Sequence, residues 1–261
     1  MDSRSLRIIH SFKGSGFTML KLATKFIPVR HAFETAWRAG FRYAEFWLDG
    51  ALLDDWENVA KTALDFPLDY ALHFPNRSNL TDEQVANCVH LYEALECQAM
   101  VIHSPMFERY GEGLLRLKPE IVLAVENHKL TPDDLRKWGK ENQYLTLDVE
   151  HVWKFTLPGS SFDEFLDTVG KLIERHADKL RHVHMPGYVP GFDEHRPMYC
   201  SRETVFAVFD MLQQIDYRGL VVSEVNAEYQ NELDLRMDRL LFDRWRETAG
   251  GASSASPPTE D

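Results

Sequence analysis

The 261-residue chain predicts a single (β/α)8 TIM barrel on three observations. Period-2 apolar runs alternate with helical patterns from about Met19 onward, which is how repeated strand-then-helix units read. The length is that of one such barrel rather than of two ordinary domains. Six consecutive segments that read as strands each end on a histidine or a carboxylate: DYALH at His73, AMVIH at His103, IVLAVE at Glu126, YLTLD at Asp148, LRHVH at His184 and LVVSE at Glu224. The chain has 41 acids and 11 histidines, about one residue in five, so coincidence explains six such endings poorly. The C-terminal ends of parallel barrel strands open onto one mouth, where these six side chains should converge.

The elements follow in order. MLKLATKF reads as the first strand, and VRHAFETAWRAGF as a helix with Phe33, Ala36, Trp37 and Phe41 on its apolar side, closed by Gly40. RYAEFW is the second strand, ending on Glu45 and Trp47, with a helix expected over 54–64. LDYALH is the third; T-D-E-Q at Thr81 then opens a helix with Val85, Val89 and Tyr92 in register. AMVIH precedes a weaker helical pattern over 106–117. After IVLAVE, Thr131 and Pro132 supply an N-cap and a first helical residue. YLTLD is followed by a helix over 162–175, LRHVH by one over 203–215, and LVVSE by a closing helix over 231–248. The barrel is thus expected over 19–249. Residues 1–18 are an N-terminal extension or edge segment, in which RIIHSF is an alternative first strand. The stretch GGASSASPPTED, 250–261, is expected to be a disordered tail.

Composition narrows the function classes. A hydrophobic fraction of 44% and a charged fraction of 27% are those of a globular protein, and no apolar run is long enough to span a bilayer, so no membrane partner is expected. MDSRSLRIIHSFKGSGF lacks the apolar stretch and cleavage site of a signal peptide, so a cytoplasmic location is expected. Cys88, Cys97 and Cys200 form an odd set with no CxxC spacing and read as reduced thiols. A net charge of −12 argues against a broad grip on phosphate backbones, although bound metal would make the mouth locally positive.

Imidazoles and carboxylates converging on one pocket are the chemistry of a divalent-metal site. D-V-E-H places His151 three residues after Asp148, and D-E-H places Asp193 and His195 on one side of an extended loop after strand seven. The order His73, His103, Glu126, Asp148 with His151, His184, Asp193 with His195, and Glu224 resembles the ligand series of the endonuclease IV family, within the xylose-isomerase-like superfamily of AP endonucleases and sugar isomerases and epimerases. V-E-N at Glu126, I-H-S-P at His103 and L-D-x-x-H at Asp148 look like that superfamily too. The resemblance implies two or three divalent ions per chain, zinc first and manganese or iron as alternatives. Glu126 would bridge two ions, one held also by His73 and His103, the other by Asp148, His184 and Glu224. A third would take His151, Asp193 and His195.

The chain departs from that family after His73, where F-P-N-R-S-N-L lacks an aromatic probe of a DNA duplex, and no basic or wedge-bearing loops follow strands one and two. Duplex DNA is therefore not the expected partner. The favoured reaction is metal-assisted hydrolysis of a phosphate ester on a small or single-stranded substrate. The rival is the isomerase and epimerase branch, which the resemblance gives a single ion on residues equivalent to Glu126, Asp148, His184 and Glu224, with Glu126 and Glu224 as acid and base. Oxidative chemistry on iron and a non-catalytic metal-binding scaffold are further alternatives. Glu45, Trp47, Lys129 and Arg196 are candidate contacts to a small sugar-like or phosphorylated substrate, with Arg77, Tyr188 and Tyr199 behind them. His182 is expected to face the helices in a structural role. His10, His31, His90, His128 and His176 have no special placement, and Gly111-Glu-Gly113 is too sparse for a phosphate loop.

Overall fold

The computed structural model describes residues 20–190 and 195–251. Among them, eight parallel strands close a barrel in sequence order, with the last paired to the first. The strands are β1 (Lys21–Phe26), β2 (Tyr43–Trp47), β3 (Asp69–His73), β4 (Met100–His103), β5 (Leu123–Glu126), β6 (Tyr144–Asp148), β7 (Leu180–His184) and β8 (Leu220–Ser223). The outer layer is built by α1 (Arg30–Arg38), α2 (Gly50–Asp54), α3 (Trp56–Leu64), α4 (Asp82–Ala94), α5 (Ser104–Leu117), α6 (Pro132–Glu141), α7 (Val149–His151), α8 (Phe162–Arg175), α9 (Arg202–Gln214) and α10 (Glu232–Gly251). This is the expected TIM barrel.

Local signals account for most of the boundaries. Gly40 closes α1 at φ +95°, a conformation that disfavours any side chain with a Cβ. Thr81 and Gln84 form a reciprocal capping box on α4. The Thr131 hydroxyl accepts from Asp134 N ahead of Pro132, as its sequence reads. Elsewhere the structure departs from expectation. The helix expected over 54–64 is two: the Asp49 carboxylate accepts from Leu52 N and starts α2 early, and Asp55, at φ −112° and ψ 26°, separates α2 from α3. α5 begins at Ser104, directly after β4, because Pro105 suits a first helical turn. After β6 the chain makes the single turn α7 and then a π-helical stretch, Val152–Thr156. α10 reaches Gly251, into the expected tail. The expected extension over 1–18 lies outside the described residues, as does the remainder of the tail.

Core packing follows from strand alternation. Outward-facing apolar residues meet the helices, as in the aromatic group of Phe26, Phe33, Phe46 and Tyr70 between α1 and the first three strands. Inside the barrel, Ala23, Ala71, Leu220 and Val222 form a small apolar floor with Tyr43 against it. Above that floor the inward positions turn polar, which places the chemistry. Cys88, Cys97 and Cys200 are free thiols, and burial pushes the first two well above the usual thiol range. Among the described residues no helix is long and apolar enough to cross a membrane.

β8 is tied to the outer layer through Asp238 of α10, which is fully buried and accepts from Ser223 Oγ at 2.6 Å and from Tyr199 N at 3.2 Å. Burial pushes its carboxyl up to about 6, against the hydrogen bond from Ser223. A raised carboxyl favours the folded state below the unfolded pKa near 4 and loses that contribution as pH rises through about 6. Asp238→Asn keeps both partners without the buried charge and is expected to stabilise the protein at pH 7.5 by about 1 kcal/mol, with little effect at pH 4. Urea unfolding at the two pH values checks this; an equal loss at both would show that the hydrogen bonds, not the charge, dominate.

Candidate metal centre

β3 to β8 deliver their last inward residues to the mouth of the barrel, and the loops after β6 and β7 add two more. Glu126 is central. Its Oε2 lies 3.2 Å from His73 Nε2, 3.3 Å from His103 Nε2 and 3.6 Å from His184 Nδ1, while its Oε1 lies 3.3 Å from His151 Nδ1. Asp148, His184 and Glu224 form the opposite wall. His184 Nδ1 is 2.8 Å from Glu224 Oε2 and 3.9 Å from Asp148 Oδ2, and His151 Nδ1 is 3.5 Å from the same Asp148 oxygen. His195, partly buried at φ 58°, brings Nε2 to 3.5 Å from Glu224 Oε1. A cavity of about 200 Å³ opens over this set, lined also by Lys25, Trp47, Asn76 and His128.

Each side chain of the opposite wall is held by one polar atom and leaves the other over. Asp148 Oδ1 accepts from His151 N at 2.9 Å, Glu224 Oε1 from Lys25 Nζ at 2.7 Å, and His184 Nε2–H donates to Glu45 Oε2 at 3.0 Å. Asp148 Oδ2 and His151 Nδ1 are buried without a hydrogen-bond partner among the described residues, and the buried Glu224 Oε2 and His184 Nδ1 face each other at 2.8 Å. Crowding buried carboxylate oxygens and imidazole nitrogens is costly unless protons or a cation share the charge. The donor set of imidazole nitrogens and carboxylate oxygens suits zinc, manganese or iron. Donor atoms within 4.8 Å of one another group as His73, His103 and Glu126; as Glu126, Asp148 and His184; as Asp148, His151 and His195; and as Glu126, His128 and His151. The residues therefore fit divalent ions.

Residues behind the wall fix its shape. Asn127 clamps the end of β6, its Oδ1 accepting from Asp148 N at 2.6 Å and its Nδ2 donating to Asp148 O at 2.9 Å. The buried Glu150 accepts from His195 N at 3.0 Å, and His195 O accepts from Asn226 N at 2.8 Å, so the histidine after the long loop is anchored from both sides. Electrostatics follow from this crowding. Burial would raise Glu126 and Glu224, yet neighbouring imidazoles hold both well below the usual carboxylate range, with Lys25 adding its charge at Glu224. Burial raises Asp148. His184 and His151 are pushed up against the opposing effect of burial, the first well above its ordinary value by Glu224 and Glu45, the second to about 9 by Asp148 and Glu126. Burial and the neighbouring His103 and His151 push His128 down to about 4.

The structure brings His73, His103, Glu126, Asp148, His151, His184, His195 and Glu224 to one mouth; Asp193 lies outside the described residues. Trp47 stands at the cavity rim, about half exposed. Glu45, expected to touch substrate, is completely buried beneath the mouth and turned to His182, His184 and Lys25. Lys129 is exposed, its Nζ 5.6 Å from the Phe155 ring, and the Arg196 side chain interacts with Cys200. Neither lines the cavity among the described residues. His182 corrects an expectation: residues two apart on a strand share a face, so it points inward with His184, and its Nε2–H donates to Glu45 at 2.5 Å. His128, given no role by the sequence, stacks on His103 at 4.4 Å and 7°. Lys25 likewise has no place among the sequence-predicted residues; a lone lysine at an inward strand position is the available signal.

A parallel barrel with imidazole and carboxylate strand ends defines a TIM barrel whose mouth could hold a metal ion. No family model and no curated protein matches the chain. Solved structures do. A D-tagatose 3-epimerase-like protein aligns with a TM-score of 0.66 at 15% identity, over 90% of this chain and 100% of that one. Endonuclease IV from Thermus thermophilus aligns at 0.55 and 16%, over 87% and 99%. D-allulose 3-epimerase from Methylomonas sp., in complex with D-allulose, aligns at 0.52 and 17%, over 89% and 96%. At these identities the likeness shows the fold, a closed parallel (β/α)8 barrel that sugar epimerases and an endonuclease share.

Because His151 and His184 hold protons in the ion-free cluster, divalent-ion binding near neutral pH should release protons. Affinity should rise with pH through about 9, where His151 gives up its proton. Calorimetric titration of zinc in buffers of different ionisation enthalpy measures the release. An uptake of zinc that leaves the proton count unchanged would mean that these two imidazoles are not ligands.

Proposed function

We propose that the protein is a metal-dependent enzyme that hydrolyses a phosphate ester on a small or single-stranded substrate. The observation that supports this most is the central place of Glu126, with Oε2 within 3.6 Å of His73, His103 and His184 and Oε1 at 3.3 Å from His151. A carboxylate with imidazoles on both oxygens could serve more than one ion. When bound, divalent ions would supply Lewis acidity, a more acidic water and neutralisation of phosphoryl charge. His73 and His103 would hold one ion with Glu126, and Asp148, His184 and Glu224 another. His151, Asp193 and His195 are proposed as the ligands of a third. Glu126, facing the cavity, would orient the attacking water. Trp47 offers a flat apolar face to a sugar or base ring at the rim.

The cavity of about 200 Å³ and the net charge of −12 favour a small substrate over duplex DNA. A larger surface groove of about 650 Å³, lined by residues of α6 and α8, contains none of the proposed ligands. A second reading, sugar isomerisation or epimerisation, is supported by Glu126 and Glu224 both lining the compact cavity beside His184, as acid and base for a proton next to a carbonyl. The epimerases among the structural neighbours make it the natural rival.

Metal content and two assays separate the readings. Gently purified protein is expected to carry more than one divalent ion per chain and to hydrolyse small phosphate esters in a chelator-sensitive way. His73→Ala and His103→Ala should lower that turnover about 100-fold or more while the barrel stays folded. A single ion per chain, no ester hydrolysis and exchange of a ketose C–H with deuterated solvent would transfer the assignment to the second reading.

A further inference from the structure

Lys25 is buried inside the barrel on β1, directly opposite Glu45 of β2 in the strand register. Its Nζ donates to Glu224 Oε1 at 2.7 Å and lies 3.1 Å from Glu45 Oε1. Glu45 in turn accepts from both His182 and His184 through its other oxygen. Glu45, His182 and His184 form a further group whose donor atoms lie within 4.8 Å of one another. The ammonium thus sits where two carboxylate oxygens converge next to two imidazoles, the kind of donor set that elsewhere in the same mouth suits a divalent cation.

We propose that Lys25 stands in the place of a divalent ion, as a permanent cation that keeps the Glu45 corner free of metal and fixes how many ions the site takes. Glu45, Glu126, Asp148 and Glu224 with Lys25 leave three negative charges when the imidazoles are neutral. Without the ammonium there would be four, with Oε1 of both Glu45 and Glu224 uncovered, and hard carboxylate oxygens attract manganese or zinc. A lysine does not exchange with solvent ions, so it also keeps one positive charge at the cavity wall, where an anionic oxygen of the substrate would meet it. Lys25 is in this sense a positioning residue: it holds Glu224 by Oε1 and leaves Oε2 for an ion.

The test is metal uptake by chelator-stripped protein titrated with manganese and counted by electron paramagnetic resonance, with zinc calorimetry beside it. Lys25→Ala, which removes the charge and leaves room, is expected to take up one more equivalent per chain than the wild type. Adding Glu45→Gln to Lys25→Ala should abolish the extra equivalent. Lys25→Arg, which keeps the charge, should bind as the wild type does. If Lys25→Ala unfolds without metal, recovery of its circular dichroism and melting transition on adding manganese supports the same conclusion. Equal uptake by wild type and Lys25→Ala, or an unfolded Lys25→Ala that manganese does not restore, overturns it. The inference rests on the metal-dependent reading, but the failures differ: a wild-type chain that binds no divalent ion sinks that reading, whereas equal uptake sinks this inference alone.

Discussion

Four carboxylates within a few ångströms of one another, Glu45, Glu126 and Asp148 buried and Glu224 mostly so, are the constraint around which the mouth of this barrel is arranged. An uncompensated buried carboxylate is held only at a cost of several kcal/mol, so each must be matched by a cation, a protonated imidazole or a metal ion. Lys25 and the imidazoles on β3, β4 and β7 and in the loops are that compensation, and without bound ions it is incomplete. The unpartnered Asp148 Oδ2 is the remainder. Other features of the site follow from this shortage of positive charge, including the raised affinity of His151 and His184 for protons.

Strand register turns that constraint into geometry. Inward positions recur every second residue, so the barrel interior is layered. Ala23, Ala71, Leu220 and Val222 form an apolar floor, and Lys25, Glu45 and His182 a charged layer above it. His73, His103, Glu126, Asp148 and His184 make the rim. The middle layer grips the rim from below: Lys25 takes one oxygen of Glu224, and Glu45 takes Nε2 of His184. The atoms left facing the cavity are selected by hydrogen bonds beneath them, which is how supporting residues fix the tautomer and aim of metal ligands.

Much of this was legible in the sequence because a closed parallel barrel converts strand order into position. Apolar runs that end on His73, His103, Glu126, Asp148, His184 and Glu224 mark both the strands and the rim. What escaped lay one layer down. Lys25 in KLATKF looks like an ordinary charge in an apolar run, since a single residue says nothing of the partners that a neighbouring strand brings to it. Glu45 resembles a substrate contact because it too nears a strand end, yet it sits two residues below Trp47, inside the barrel. His182 shares the face of His184, a consequence of period-2 alternation that its spacing already contained. His128 and Glu150 act through the loops after β5 and β6, where α7 and the π-helical stretch set directions that no periodicity predicts. Asp193 lies outside the described residues, so its part in the site rests on resemblance.

The choice between hydrolysis and epimerisation turns on the same electrostatics, not on the fold, which hosts both. A carboxylate that bridges ions is a poor base because its charge is already shared between cations. A carboxylate that supports one ion through one oxygen keeps the other for a proton. Glu126 has imidazoles on both oxygens, which draws it toward bridging, while Glu224 has one oxygen tied to Lys25. The number of cations therefore decides which chemistry these two residues can perform. On the proposed readings a fixed lysine at the Glu45 corner would limit that number, and the reaction would be set by a residue that belongs to none of the ligand motifs.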